Sequence, residues 1–120
     1  RFAILYADDG YMVHTNHYLD SKMREIEDEP DELISTRVRY FRARRLLKLN
    51  SQHTIKTLQA IQRDHLNYPD SICNHCEEGL DPLDREKTIN AMVMDLTSRV
   101  MHLCWGNPCS NTYHTFHLDC

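Results

Sequence analysis

The sequence predicts an α+β fold of order β-β-α-α-β-β-β. Three observations point to it: short aromatic and β-branched runs at the start, two helix-spaced apolar patterns near the middle, and three alternating segments toward the end. Two helices of this kind can cover one face of an antiparallel sheet.

Residues 2–6 and 11–17 are short runs separated by Asp8-Asp9-Gly10, and Asp-Gly between such runs signals a β-hairpin. The acidic stretch 20–32, with Pro30 near its end, lacks apolar periodicity and reads as a solvated connection. From Leu33 to Leu49 there is no Gly or Pro, and Leu33, Ile34, Val38, Tyr40, Phe41, Leu46 and Leu47 recur at helical spacing, with Ser35 or Asp31 as the expected N-cap. Arg39 and Arg42 fall on the polar side of this helix. At about 100° per residue, however, Arg37, Arg44 and Lys48 line up between two apolar arcs, so some of these charges must be paired or snorkel. Ser51 is a plausible cap for a second helix, which Ile55, Leu58, Ile61 and His65 carry to about Leu66. Asn67 to Leu83 holds Pro69, Gly79 and Pro82 among polar residues and reads as loop. Thr88–Leu96, Arg99–Trp105 and Thr112–Leu118 then alternate, joined by the turn-like Thr97-Ser98 and Gly106-Asn107-Pro108, which predicts an antiparallel meander.

With 120 residues, 41% apolar and 27% charged, the chain is globular and amounts to one domain or a large piece of one. No apolar run approaches the ~18 residues of a membrane span, so no membrane role is expected. A net charge of −4, from 14 Lys and Arg against 18 Asp and Glu, argues against a nucleic-acid partner. The charge is nonetheless uneven, with seven acidic and two basic residues between Asp20 and Glu32, then six basic and no acidic residues between Arg37 and Lys48. Five cysteines at irregular spacing make no disulfide framework and no signal peptide precedes them, so reduced thiols in an intracellular, cytoplasmic protein are expected. The chain opens at Arg1 in an apolar run and closes on Cys120 after an alternating one, as expected of a piece of something longer.

Three constellations carry candidate chemistry. Cys73-Asn74-His75-Cys76 has the two-residue gap of a zinc knuckle, and Cys104 and Cys109 offer two further soft ligands. The second gap does not match the usual structural-zinc pattern, so buried or loop thiols are the favoured reading and no metal or cofactor is expected. The basic helix with Arg37, Arg39, Arg42, Arg44, Arg45 and Lys48 could meet phosphate or an acidic partner, but its charges point to several faces, which suits a solvated helix better. His14 and Asn16 would share one face of a strand, with Thr15 and His17 on the other, setting a proton carrier beside an amide donor. Composition alone makes Asn16 more often a strand-end cap. No Gly-rich phosphate loop, Gly-x-Ser-x-Gly elbow or His-Glu-x-x-His is present.

Four stretches occur together in order: Gly10-Tyr11-Met12-Val13-His14-Thr15-Asn16-His17, Ser35-Thr36-Arg37-Val38-Arg39-Tyr40, Asp64-His65-Leu66-Asn67-Tyr68-Pro69-Asp70-Ser71-Ile72-Cys73-Asn74-His75 and Gly106-Asn107-Pro108-Cys109. In this order the chain resembles the C-terminal part of the acyl-coenzyme A:isopenicillin N acyltransferase-like family of N-terminal-nucleophile cysteine amidohydrolases, which includes Tan-like β-alanyl-dopamine hydrolases. The resemblance implies part of a four-layer αββα sandwich and self-cleavage at a Gly-Cys bond, which frees an N-terminal cysteine activated by its own α-amine. None of Cys73, Cys76, Cys104, Cys109 and Cys120 follows a Gly, so the nucleophile is expected upstream of Arg1 and this segment alone is expected to be inactive. Asn16 matches the family's oxyanion-hole asparagine, and Arg85 falls near its active-site arginine, which would steady a carboxylate or the developing charge.

The expectation is therefore that residues 1–120 form the C-terminal segment of one hydrolase or acyltransferase domain. Its partners would be the N-terminal part of the same protein and a small-molecule amide or acyl donor, with no nucleic acid and no membrane. A non-catalytic α+β interaction module, using the basic helix with or without zinc at the Cys-x-x-Cys loop, is the alternative.

Overall fold

In the computed structural model, residues 2–7, 9–27, 34–81, 83 and 85–118 are described. The chain is α+β and falls into two compact units, residues 1–49 and 50–120. Among the described residues no helix is long and apolar enough to cross a membrane.

Among its described residues the first unit carries two helices and no strand. Gly10 makes the expected turn, donating its N–H to the Ala7 carbonyl at 3.1 Å from a left-handed φ of 78° that glycine adopts without steric penalty. The flanking runs do not pair into the predicted hairpin. Two strands alone are marginal without a third strand or a helix face behind them, and Phe2 and Tyr6 stand 85% and 76% exposed. The acidic stretch differs from a plain connection as well. Asp20 accepts hydrogen bonds from the backbone N–H groups of Lys22 (3.0 Å) and Met23 (3.2 Å) and so nucleates a one-turn helix, α1 (Ser21–Arg24).

Helix α2 (Ile34–Leu49) matches the predicted helix over its described length and buries Thr36 and Leu47. Ser35 lies inside it and caps nothing, whereas Leu33, Pro30 and the other candidate cap, Asp31, lie outside the described residues. The crowded charges are handled as the periodicity requires. Arg37 pairs with Glu27 at 3.4 Å, and the Arg44 guanidinium lies 5.6 Å from the centre of the Tyr40 ring.

The second unit holds α3 (Ile55–Gln62) and a three-stranded sheet of β1 (Asn90–Asp95), β2 (Val100–Trp105) and β3 (His114–His117). Thr54, not Ser51, caps α3 by accepting from the Thr57 N–H at 3.2 Å. The helix stops short of Leu66 because Asp64 takes the Leu66 N–H onto its carboxylate at 3.1 Å and Asn67 turns left-handed at φ 73°. The meander is as predicted: antiparallel, in the order β1-β2-β3, with Ala91 opposite Cys104, Met94 opposite Met101 and Met101 opposite Phe116. Asp95 accepts from the N–H groups of Ser98 and Thr97, both at 3.0 Å, which closes the first hairpin and holds its carboxyl below the usual range.

Residues directly opposite share a face, so the two sides of the sheet can be compared. Ala91, Val93 and Cys104 are buried on one, while on the other Leu103 at the centre is buried and Met92, Met94, Trp105 and Phe116 around it stand exposed. Helix α3 packs beside β1 and its Gln62 Nε2 donates to the Met92 carbonyl at 2.7 Å. Among the described residues of this unit α3 is the helix beside the sheet, and α2 belongs to the other unit.

Candidate functional site

Asn16 is held by helix α2 through both its backbone and its side chain. Its N–H donates to Thr36 Oγ1 at 2.7 Å, and Arg39 Nη2 donates to Asn16 Oδ1 at 3.0 Å. Thr36 and Arg39 are one helical turn apart and so present both partners to the same stretch of coil. A guanidinium has donors only, so the side-chain atom facing Arg39 must be the oxygen. That leaves the Asn16 Nδ2 donors for another acceptor, and the residue itself is exposed.

The neighbours of Asn16 lock onto the same helix position. Thr15 Oγ1 donates to the Thr36 carbonyl at 3.1 Å. His17, 4% exposed, has Nδ1 at 3.1 Å from Thr15 Oγ1 and 3.3 Å from Thr36 Oγ1, and its ring meets Tyr40 edge-on at 5.4 Å. Burial pushes the His17 pKa below 6.5 against the opposing pull of the Glu27 carboxylate, which keeps the imidazole neutral. The predicted alternation survives without the strand: His14 and Asn16 face out, Thr15 is half-buried and His17 is buried. A cleft of about 230 Å³, walled by Tyr6, Tyr11, Val13, Leu19 and Tyr40 among others, opens in this unit, and Tyr40 joins it to the His17 side of the clamp.

Arg85 lies in the second unit, exposed, with its Nε donating to the Leu80 carbonyl at 3.0 Å. The same unit gathers a group that the sequence reading divided differently. His65, Cys73, His75 and Cys109 bring one ligand atom each to within 4.8 Å of the others. Neither Cys76 nor Cys104, both candidates in the zinc-knuckle reading, belongs to it, and Cys120 lies outside the described residues. Burial pushes the thiols of Cys73 and Cys104 up from their ordinary values.

Local hydrogen bonding explains the gathering. The Cys73 N–H donates to the Asp64 carbonyl at 3.0 Å and the His75 N–H to the Pro69 carbonyl at 3.1 Å, which folds the loop back toward His65. Asn107 Nδ2 donates to the Asn74 carbonyl at 2.6 Å and to Cys73 Sγ at 3.5 Å, joining this loop to the turn that carries Cys109. Gly106 starts that turn at φ 70°, where an added Cβ would come within 3.2 Å of Asn111 Nδ2. Arg63 Nε donates to the Pro108 carbonyl at 2.9 Å and lies over the Tyr113 ring, whose hydroxyl donates to Gln62 Oε1 and is pushed up to about 12 by burial.

The four ordered stretches lead from Asn16 to this turn, and a model of one family covers nearly the same span. That family, acyl-coenzyme A:6-aminopenicillanic acid acyl-transferase, matches residues 2–110. The chain belongs to this family. No individual curated protein matches it. Membership makes the chain part of an acyltransferase family and hence of an enzyme, in agreement with the resemblance of the four stretches.

Sequence reasoning singled out Asn16 but missed Thr36, Arg39, His65 and His75 as its partners or as members of the cysteine group. Their signal was present in the family-like stretches, in which Thr36 and Arg39 are three residues apart and Cys73-Asn74-His75 sets a thiol and an imidazole two residues apart.

Proposed function

We propose that this chain is the C-terminal segment of a self-processing cysteine N-terminal-nucleophile enzyme that hydrolyses linear amides or transfers their acyl groups. The nucleophile is a cysteine released from a Gly-Cys bond in the part of the domain preceding this segment, and none of this chain's own cysteines follows a Gly. In this reading the meander is one sheet of a four-layer αββα sandwich, and the exposed face of Met92, Met94, Trp105 and Phe116 lies against the second sheet.

The cysteine sulfur attacks the amide carbonyl carbon while its proton passes to the neighbouring α-amine. The carbonyl oxygen takes up negative charge and accepts hydrogen bonds from Asn16 Nδ2. Collapse breaks the C–N bond, the leaving amine takes the proton, and an acyl-cysteine thioester remains. Water or an acceptor amine then attacks the thioester, the C–S bond breaks and the thiol is restored. Arg85 steadies a substrate carboxylate or the developing charge.

One observation carries the reading: Asn16 is anchored by Thr36 at its backbone and by Arg39 at its side-chain oxygen, which leaves its amide N–H groups for a substrate oxygen. Such preorganised donors act where charge develops in the transition state. The interaction-module alternative loses weight, because Arg37, Arg39 and Arg44 of the basic helix are engaged by Glu27, Asn16 and Tyr40. In the full-length enzyme Asn16→Ala should lower kcat by about 10²–10³-fold with little change in KM. An unchanged kcat would overturn the assignment.

A further inference from the structure

We propose that His65, Cys73, His75 and Cys109 form a tetrahedral zinc site that staples the 64–75 loop to the Gly106–Cys109 turn. This goes beyond the amidohydrolase reading and uses none of its residues.

The geometry around one atom carries the inference. His75 Nε2 lies 3.1 Å from His65 Nε2, 3.6 Å from Cys73 Sγ and 3.5 Å from Cys109 Sγ. A ring nitrogen has either one N–H or one lone pair, so a hydrogen bond accounts for one of these neighbours and not for all three. A tetrahedral ion accounts for all of them. With Zn–N near 2.0–2.1 Å and Zn–S near 2.3 Å, the edges of the tetrahedron are about 3.3 Å for N to N and about 3.6 Å for N to S. The three observed separations match those edges with His75 Nε2 as a vertex, and all four ligand atoms fit within 4.8 Å.

The donor chemistry selects the ion. Two imidazoles and two thiolates in a tetrahedron suit a borderline-soft cation such as zinc, and four protein ligands leave no open position, which makes the site structural rather than catalytic. On binding, each thiol releases its proton and the two thiolates neutralise the dication. Cys73 is fully buried, so its S–H bond is exchanged for a sulfur–metal bond in a place that water does not reach. Asn107 Nδ2, 3.5 Å from Cys73 Sγ, supplies an outer hydrogen bond to that sulfur. The ligands are also held in place without the ion, through the backbone bonds of Cys73 to Asp64 and of His75 to Pro69. Both loops lie in the second unit, so the staple stays within one compact body.

Elemental analysis of the full-length protein, purified under reducing conditions without chelator, tests this directly. One zinc per chain is expected, retained in Cys76→Ser and lost in Cys109→Ser and in His65→Ala. Cobalt substitution of the unaltered protein provides a reading that no folding defect can confuse: thiolate-to-cobalt charge-transfer bands for two sulfurs together with the visible bands of a tetrahedral ion. Asn107→Ala should weaken metal affinity about 10–100-fold. Protein that takes up no zinc after exposure to the free ion, or that keeps stoichiometric zinc without Cys109 or needs Cys76 for it, would overturn the site. So would a Cys73–Cys109 disulfide in freshly reduced and desalted protein.

Discussion

The two units hold their key groups in different ways. In the first, a stretch of coil is fixed by side chains that reach onto one helix: Thr36 takes the Asn16 N–H and approaches His17, and Arg39 takes the Asn16 side chain. In the second, backbone bonds shape the parts and two side chains join them. The strand ladder and the loop bonds of Cys73 and His75, with Asn107 and Arg63 reaching across to the Cys109 turn, bring together residues as far apart as His65 and Cys109. A coil held by a few side chains should be sensitive to single substitutions. A unit held by a ladder and a metal staple should be sensitive to loss of the metal and tolerant elsewhere.

The largest expected effect is on the second unit. Titrating zinc into metal-free protein to a thousandfold excess over its dissociation constant should stabilise this unit by about 4 kcal/mol, read as an upward shift of its melting transition. A melting profile indifferent to zinc would remove the contrast between the units. In the first unit, Arg39→Ala frees the Asn16 amide to rotate, and misplacing a reacting group by about 1 Å can lower kcat by about 10²-fold. Arg39 acts through Asn16 in this reading, so kcat should fall while KM holds. Melting of the first unit should shift little.

Thr36→Val comes next. It leaves the Asn16 N–H without its acceptor and removes the hydroxyl beside His17, so denaturant unfolding should show a loss of about 1–3 kcal/mol confined to the first unit. Thr36→Ser keeps the hydroxyl and should restore most of it. Equal losses in both units would mean that the clamp is not local.

Helix α2 was legible because a run without Gly or Pro repeats its apolar residues at helical spacing, and the meander because alternating segments are separated by turn-like residues, so local pattern is enough to define them. The N-terminal hairpin was not. Its alternation and its Asp-Gly turn are both present, but pairing depends on a covering layer, and Phe2, Ile4 and Tyr6 have none in this unit. The end of α3 was misplaced because His65 continues the apolar spacing while the Asp64 carboxylate and the left-handed Asn67 divert the backbone, and such side-chain bonds leave no trace in periodicity. The same diversion hid the histidine and cysteine group: counted as helical, His65 could not be placed beside a loop cysteine. Asn16 was found through its motif. Its hold on Arg39, 23 residues away, was not readable from spacing.

The smallest expected effect is the pH dependence of the clamp. Burial holds the folded His17 pKa below its unfolded value of about 6.5, so the unfolded chain binds the proton more readily. The stability His17 lends is complete above about pH 6.5 and declines as the pH falls from there toward the folded pKa. Denaturation of the first unit followed from about pH 7.5 down to about pH 5 should show this decline. His17→Asn should flatten it.

The role of Asn16 is tested most directly by the acylation rate of Asn16→Asp in single-turnover experiments on the full-length enzyme. Aspartate has the same shape and still offers an oxygen to Arg39, so the clamp and the melting temperature should be kept. It has no amide donor for the oxyanion and adds a negative charge beside it. Acylation should therefore fall by at least about 10²–10³-fold, as for loss of an oxyanion donor. An Asn16→Asp enzyme that acylates at the unaltered rate would show that Asn16 serves only to fasten the coil to helix α2.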